Sequence, residues 1–400
     1  LDEWRSINLL FQLTDDDLTG EGNLFTETRV DKGLMRSYLF FHIVLKGDSY
    51  PRSKLAQITR QVNRLFTMPI MVLFSYGSTL SIAVINRRRN KIDANKDVLG
   101  KVTLIRDINC AAPHRGHLDI LASFSIPELT RRGTVSNFDT LHAALEEVFN
   151  VELLNRTFYR KIQTWFFWAV QEITFPQGGI ADPDQRNRIA AIRLLTRVIF
   201  CWFAREKRLI PPELFTADTA RKVLKNFDPL SRTDGAYYAA ILQNLFFPTL
   251  SVPLDQREFR NGRRYKGVNK HYMNHAYFRH EAAFKEPGDI PGLFEKIPFL
   301  NGGLFACLDY LDKEGKEVRV DGFSDTAAKQ PLVPNLLFFG KEVPVDISAA
   351  TGNATDTAVK IDGLFTILDA FKFTVTENTP VEEEIALDPE LLGRIFENLL

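Results

Sequence analysis

The stretch Ser37–Lys46, SYLFFHIVLK, decides how the first part of the chain folds. It is rich in aromatic and β-branched residues, which suit the pleated, half-buried surface of a β-strand. A turn at Gly47–Pro51 follows, and Lys54–Phe66 then carries apolar residues at helical spacing. Two further apolar runs, Ile70–Phe74 and Leu80–Ile85, flank a glycine-containing turn, as in a β-hairpin. This order predicts a mixed α/β domain.

A second region begins near residue 146, where long helical patterns replace the strands. Leu153–Ile173 and Asp184–Arg208 are the clearest helices, and Tyr237–Leu245 is predicted to be another. At 400 residues the chain is long enough for two or three domains. The sequence therefore predicts an α+β protein, with a mixed α/β domain over residues 1–145 and a mainly α-helical domain over residues 146–400.

The helix predicted at Asp184–Arg208 has one apolar stripe and one cationic side. The stripe is expected to be buried in a helical core. Its members are Ile192, Leu195, Ile199, Trp202 and Phe203. The cations are expected to lie mostly outside it, in solvent. They are Arg193, Arg197, Arg205, Lys207 and Arg208.

The overall composition is that of an ordinary soluble protein, with 45% hydrophobic and 25% charged residues. The formal net charge is zero, so any surface for nucleic acid must be local. The three cysteines form no paired or zinc-binding pattern, which predicts reduced thiols and a cytoplasmic location. No apolar run reaches the ~20 residues that span a bilayer, so we expect no membrane partner.

The strand Leu80–Ile85 is followed by a basic stretch. Its cations are Arg87, Arg88, Arg89, Lys91, Lys96, Lys101 and Arg106, diluted by Asp93 and Asp97. Lys and Arg side chains neutralise the DNA backbone without reading bases, so this stretch is a candidate phosphate-contacting edge. The alternative is a solvated loop after a strand. Arg87, Arg88 and Arg89 are the DNA-binding residues predicted here.

A second candidate DNA-binding segment is Arg257–His280, where cations alternate with aromatic residues. Cations beside aromatic rings can hold phosphates and stack on bases. The DNA-binding residues predicted here are Arg260, Arg263, Arg264, Tyr265, Lys266 and Lys270. The alternative is a long surface loop whose aromatic residues attach it to the helices.

The order of strand, helix and two strands is also the order around the active site of PD-(D/E)xK nucleases. Such a nuclease needs an acid two residues before its lysine, so that carboxylates can hold Mg²⁺. Here Val44 stands at that position before Lys46. We therefore expect a degenerate restriction-endonuclease-like domain or another inert α/β domain, although an active endonuclease remains the alternative.

His114, His117 and Asp119 are the nearest approach to a set of metal ligands in the N-terminal region. If His117 and Asp119 lay on one face of a strand, they would point together. A polar loop or the start of a strand is the plainer interpretation. We expect no metal site.

The chain ends on Asp388–Leu400, DPELLGRIFENLL. Asp388 is a good N-cap and Pro389 suits the first helical position, so a helix is predicted. No C-cap glycine, basic last turn or proline follows, which suggests that the helix precedes further chain.

Three segments carry a resemblance to a known family. They are RLLTRVIFCWFAREKRLIPPELF at 193–215, PFLNGGLF at 298–305 and FTVTENTPVEEEIALDPELLGRIFENLL at 373–400. In this order they resemble the region before the catalytic domain of large adenine-specific DNA methyltransferases. These include type IIG restriction–modification enzymes and the methyltransferases of BREX-like phage-defence systems. The N-terminal α/β block is less specifically similar.

The resemblance implies that the parent protein is an S-adenosylmethionine-dependent DNA N6-adenine methyltransferase, whose catalytic domain follows residue 400. The family's glycine-rich loop and Asn-Pro-Pro-Tyr/Phe motif do not occur in these 400 residues. No catalytic residue and no cofactor are therefore assigned to this chain. Double-stranded DNA is the expected partner, with defence-system protein subunits as further candidates. A non-enzymatic module that docks such subunits remains an alternative.

Overall fold

The computed structural model describes residues 4–19, 30–31, 36–89, 97–113, 115–132, 135–259, 275–300, 303–373 and 382–384. It confirms the α+β class, with a mixed sheet followed by a mainly helical region. The chain forms two compact units: Leu1–Phe158 with Asp369–Leu392, and Tyr159–Leu368 with Gly393–Leu400. The first unit is therefore discontinuous in sequence.

The helices and strands of the described residues are as follows. The strands are β1 (Trp4–Leu13), β2 (Tyr38–Leu45), β3 (Ile70–Tyr76), β4 (Thr79–Arg89), β5 (Asp97–Asn109), β6 (Glu258–Phe259), β7 (Tyr277–Phe278), β8 (Tyr310–Leu311), β9 (Glu317–Val318), β10 (Val343–Val345), β11 (Val359–Ile361) and β12 (Glu382–Glu384). The helices are α1 (Asp15–Thr19), α2 (Arg52–Asn63), α3 (Arg115–Ala122), α4 (Ile126–Arg132), α5 (Phe138–Val148), α6 (Val151–Glu172), α7 (Pro183–Glu206), α8 (Ala217–Val223), α9 (Ile290–Phe294), α10 (Leu336–Phe339), α11 (Ser348–Thr351) and α12 (Leu364–Asp369).

The sheet of the first unit has the order β1-β2-β3-β4-β5-β12. β2 and β3 are parallel, and α2 is the crossover between them. β1 to β2, β3 to β4 and β4 to β5 are antiparallel, whereas β12 runs parallel to β5. The strands and helix predicted from the sequence correspond to β2, α2, β3 and β4.

Both faces of this sheet are covered, because alternate residues of β2 enter two different cores. Leu39 and Ile43 pack with Leu55 of α2 on one face. Tyr38 packs with Leu141 of α5 on the other. This explains why the strand reads as a continuous apolar run instead of an alternating one.

The core of the second unit is built from aromatic side chains on helices. α7 begins at a good N-cap, where the Asp182 carboxylate accepts the Asp184 N–H at 3.1 Å, and Pro183 holds the first helical position. Trp202 stacks on Phe365 with ring centroids 5.8 Å apart. The backbone over Tyr237–Leu242 and Leu245–Leu250 is π-helical and almost wholly buried.

Two elements of the first unit, β1 and β12, have no counterpart among the sequence predictions, and one segment has a different structure from the one expected. The N-terminal segment forms β1 because β2 supplies a backbone ladder. The segment expected to be a loop or a strand start forms α3, so His117 and Asp119 do not share a face. The acidic residues Glu382–Glu384 form β12 by pairing with the backbone of β5 at Val102–Leu104.

Candidate functional sites

The three arginines predicted to bind DNA in the first basic stretch lie in a two-stranded ribbon, which is formed by the end of β4 and the start of β5. Arg87, Arg88 and Arg89 lie at the end of β4 and pair with residues 99, 98 and 97 of β5. The β3 ladder reaches β4 only as far as Val84, and the β12 ladder reaches β5 only as far as Val102. Within the described residues, the ribbon therefore extends past both neighbouring strands.

The stretch of sequence that contains the ribbon carries a concentrated positive charge. Residues 86–101 contain six Lys or Arg and two Asp, a net charge of +4. The rest of this neutral chain therefore carries −4. A local positive patch attracts small anions and polyanions even when the whole protein is neutral.

The second predicted DNA-binding segment lies outside the described residues. This applies to Arg260, Arg263, Arg264, Tyr265, Lys266 and Lys270, and to the predicted terminal helix Asp388–Leu400. The described residues around the segment belong to the second unit, where Phe278 stacks on Phe294 with centroids 5.3 Å apart.

The candidate nuclease triplet ends β2. Val44 is half-buried in the strand, and Lys46 is exposed in the following turn. Val44 pairs with Ser75 of β3, and the side chain of His42 contacts Ser75 Oγ at 2.8 Å. The position that holds a metal-binding carboxylate in a PD-(D/E)xK nuclease is thus occupied here by the apolar side chain of Val44.

A buried ion pair joins α7 to the loop that follows β9. Arg197 of α7 places Nη1 2.9 Å from Oδ1 of Asp321, and both side chains are buried. The same guanidinium donates to the carbonyl oxygens of Leu304 and Ala306, each at 2.9 Å. Arg197 therefore fixes the turn that contains the Gly-Leu-Phe of PFLNGGLF against α7.

The carboxylate of Asp309 holds the loop that carries Asp321. It accepts backbone N–H groups from the four consecutive residues Val320 to Phe323, at 2.7 to 3.0 Å. Consecutive N–H groups that converge on one carboxylate form an anion nest. The nest aligns the loop so that Asp321 faces Arg197.

A cavity of about 740 Å³ lies in the second unit, beside this nest. Its lining residues come from three stretches of chain. They are Phe278–Ala283, then Glu317 and Arg319, then Ser324, Asp325, Thr326, Lys329 and Gln330. Volumes of ~300–1,000 Å³ are typical of small-molecule sites. Sequence reasoning missed this site, since its residues are scattered over short irregular segments without a motif.

His280 has an unusual backbone in the wall of this cavity. Its φ of 63° and ψ of 30° are left-handed, which is uncommon for a residue other than glycine. The Asp325 carboxylate accepts the His280 backbone N–H at 2.9 Å and stabilises this conformation. Such backbone strain concentrates at functional sites.

The hydrogen bonds of Gln330 fix the tautomer of His280. The Gln330 amide nitrogen donates to the Ser324 carbonyl oxygen at 2.8 Å, which sets the orientation of the amide. The same nitrogen lies 3.4 Å from His280 Nδ1, which must then accept. In the neutral ring the proton is therefore on Nε2, which is buried and has no acceptor among the described residues.

The surroundings of His280 keep its ring neutral. Burial is the main cause that lowers the pKa of His280 to about 4; the charge of Asp325 opposes this shift, and the charge of Arg279 contributes to it. Burial also lowers the pKa of the nearby His275. The cavity wall thus presents a neutral imidazole among charged side chains at physiological pH.

The described residues contain no group of three or more His, Cys, Asp or Glu side chains arranged to hold a metal ion. His114 lies outside the described ranges, and His117 is buried in α3. No helix among the described residues is long and apolar enough to cross a bilayer.

The chain was compared with protein-family models, curated proteins and solved structures, and none of them matches.

Proposed function

We propose that this chain is the non-catalytic N-terminal part of an S-adenosylmethionine-dependent DNA N6-adenine methyltransferase of a restriction–modification or phage-defence system. It supplies a scaffold and contacts to double-stranded DNA. The parent enzyme extrudes an adenine from the duplex and transfers a methyl group to N6. The cofactor and the catalytic motifs belong to the part of the parent beyond residue 400.

The observation that carries DNA contact is the basic ribbon, residues 86–89 paired with 97–101. Paired strands lie ~5 Å apart, and the major groove of B-DNA is ~12 Å wide and admits a two-stranded ribbon. The residues of the ribbon contain four Lys or Arg and one Asp, and the resulting net charge of +3 favours the phosphates on both sides of the groove.

The methyltransferase assignment rests on the sequence resemblance, and two of the segments that carry it lie in contact. Arg197 of the first segment donates to the carbonyl oxygen of Leu304 in the second segment, 107 residues away, and to that of Ala306, which directly follows that segment. Because this contact is buried and specific, the two segments pack together as one part of the fold.

The assignment is tested in two steps. The coding sequence after Leu400 should encode a glycine-rich strand–loop and then Asn-Pro-Pro-Tyr or Asn-Pro-Pro-Phe. The whole parent should transfer radiolabelled methyl groups from S-adenosylmethionine to adenine in duplex DNA. A stop codon directly after Leu400 would contradict the assignment.

A further inference from the structure

The charged side chains that line the cavity of the second unit are balanced. Three carry a positive charge and three a negative charge: Arg279, Arg319 and Lys329, and Glu281, Glu317 and Asp325. Within the wall, Glu317 Oε2 accepts from Arg319 Nη2 at 2.9 Å and from Lys329 Nζ at 2.7 Å. A lining without net charge offers an ionic ligand no surplus counter-charge, whereas an uncharged ligand needs none.

His280 is held in this wall at three points. The Asp325 carboxylate accepts its backbone N–H at 2.9 Å, its carbonyl oxygen accepts the Ala283 N–H at 2.9 Å, and Gln330 donates to its Nδ1 at 3.4 Å. These contacts maintain a left-handed backbone, with φ at 63°, which a residue other than glycine adopts only at a cost in free energy. The position of the imidazole is therefore set before any ligand binds.

The Nε2–H group of His280 is the part of this arrangement that has no partner. Nε2 is buried and has no acceptor among the described residues, and the tautomer set by Gln330 makes it a donor. Buried donors in folded proteins normally have a protein or water partner, because an unmet donor is destabilising. Since His280 lines the cavity and its Nδ1 is occupied, Nε2–H is the ring group left for a ligand there.

The chemistry of the lining narrows the kind of ligand. An oxygen that accepts hydrogen bonds without carrying a charge, such as a carbonyl oxygen, matches both the Nε2–H donor and the balanced lining. The exposed carboxylate of Glu281 offers the opposite function, because it only accepts hydrogen bonds. A carbonyl oxygen and an N–H group on one uncharged molecule together make an amide.

We propose that this cavity binds an uncharged amide, whose carbonyl oxygen accepts from His280 Nε2–H and whose N–H donates to Glu281. The carbon skeleton would lie against the apolar part of the lining, Phe278, Ala282 and Ala283. A single water has a volume of ~30 Å³, whereas the cavity of about 740 Å³ is in the range of small-molecule sites. The inference does not depend on the proposed function, since the site contains no residue of the basic ribbon.

Three planar probes of nearly equal size test charge and carbonyl group separately. Benzamide is uncharged and has a carbonyl oxygen, benzoate is an anion, and benzamidinium is a cation without a carbonyl group. Each is titrated into the whole chain labelled with ¹⁵N in histidine, and a long-range ¹H–¹⁵N spectrum reports the ring nitrogens of His280. We expect benzamide to bind at least ten-fold more tightly than either ion and to shift the signal of Nε2.

His280→Asn removes the Nε2–H donor, and Asn tolerates the left-handed backbone. It should weaken benzamide binding at least ten-fold, and the signal that it removes from the spectrum assigns His280. Lys341→Ala is the control and should change benzamide binding less than two-fold, since Lys341 is exposed and outside the cavity. Far-ultraviolet circular dichroism checks that His280→Asn folds, and the Nε2 shift in the natural chain is measured without any variant.

Several results would overturn the proposal. Tighter binding of benzoate or benzamidinium would show that the cavity prefers an ion, and equal binding of the three probes would show no selection for an uncharged amide. No binding of any probe, or normal benzamide binding by folded His280→Asn, would also contradict it. An Nε2 signal that benzamide leaves unchanged would mean that a structural water is the only partner of Nε2–H. Substituting Arg87, Arg88 and Arg89 should leave benzamide binding unchanged, so this site and the DNA-binding ribbon are tested separately.

Discussion

Arg197 and Asp321 form a fully buried ion pair, in which the guanidinium is 3% exposed and the carboxylate 1%. Burying two charges is costly unless their remaining hydrogen-bonding groups are also satisfied. Here the guanidinium donates to two carbonyl oxygens, and Asp321 Oδ2 accepts the Leu308 N–H at 2.8 Å. The pair is therefore a structural centre of the second unit.

Removing one partner of this pair should be strongly destabilising. Asp321→Ala leaves the Arg197 charge buried without its counter-ion, so we expect a loss of ~3–5 kcal/mol in the free energy of unfolding of the second unit. Denaturation can be followed by the fluorescence of Trp165, Trp168 and Trp202, all buried in that unit. Asp218→Ala, at an exposed ion pair with Arg221, is the control and should cost less than ~1 kcal/mol.

The ribbon should contribute to DNA affinity through phosphate contacts. Arg87→Gln, Arg88→Gln and Arg89→Gln together should weaken duplex binding and reduce the slope of log K against log salt by up to ~2.7, at ~0.9 per lost contact. Fluorescence anisotropy at 50–200 mM salt measures both. Arg131→Gln, on the exposed side of α4, is the matched control. An unchanged slope in the triple variant would exclude the ribbon from the interface.

A separate prediction for DNA binding concerns the segment Arg257–His280. Arg263→Ala with Arg264→Ala should weaken DNA binding by the parent enzyme and flatten its salt dependence, because two phosphate contacts are lost. Gel-shift titrations at two salt concentrations measure this effect. Unchanged affinity and slope would favour the alternative, a surface loop without DNA contact.

His280 should make the second unit less stable as the pH falls. Its folded pKa of about 4 is below the unfolded value of ~6.5, so the unfolded state binds more protons between these values. The His280 contribution is therefore present above pH ~6.5 and is lost as the pH falls towards 4, by on the order of 3 kcal/mol.

Urea unfolding at pH 4.5–7 of the natural chain and of His280→Asn isolates this contribution. Asn tolerates the left-handed backbone and does not titrate, so it is a matched replacement. The stability difference between the two chains should shrink as the pH falls. A difference that stays constant with pH would contradict a buried neutral His280.

The first unit should have no nuclease activity. Val44 occupies the position of the metal-binding acid, so we expect no DNA cleavage in Mg²⁺ above the level of Lys46→Ala. Plasmid nicking is the sensitive assay. Cleavage that Lys46→Ala abolishes would instead favour the endonuclease interpretation.

The sequence predicted those elements whose apolar pattern is local, such as β2, α2 and α7. It did not predict β12, because Glu382–Glu384 has no strand pattern and becomes extended only by pairing with β5. It also placed Arg197 mainly on the solvent side of α7, where the structure buries it. The reason is distant in sequence, since Asp321 and the turn at Leu304 surround that position.

The cavity, like β12, was not predicted from the sequence. His280 lies at the end of a basic-aromatic segment that predicted DNA contact, and its neighbours in space, Asp325 and Gln330, come from an acidic, loop-rich stretch. Only the folded chain shows that these residues line one volume. The DNA-binding assignment of the ribbon, in contrast, was available from charge alone and remains a prediction.

The position of β12 has a consequence for biosynthesis. Residues 159–368 form an insertion within the first unit, whose sheet is completed only by residues 382–384. The ribosome therefore synthesises residues 159–368 before it synthesises β12, the last strand of the first unit. Until then the edge of β5 at Val102–Leu104 is open to pairing with other chains, the usual route to edge-to-edge aggregation. Shortened chains that stop after residue 158 would retain that open edge permanently.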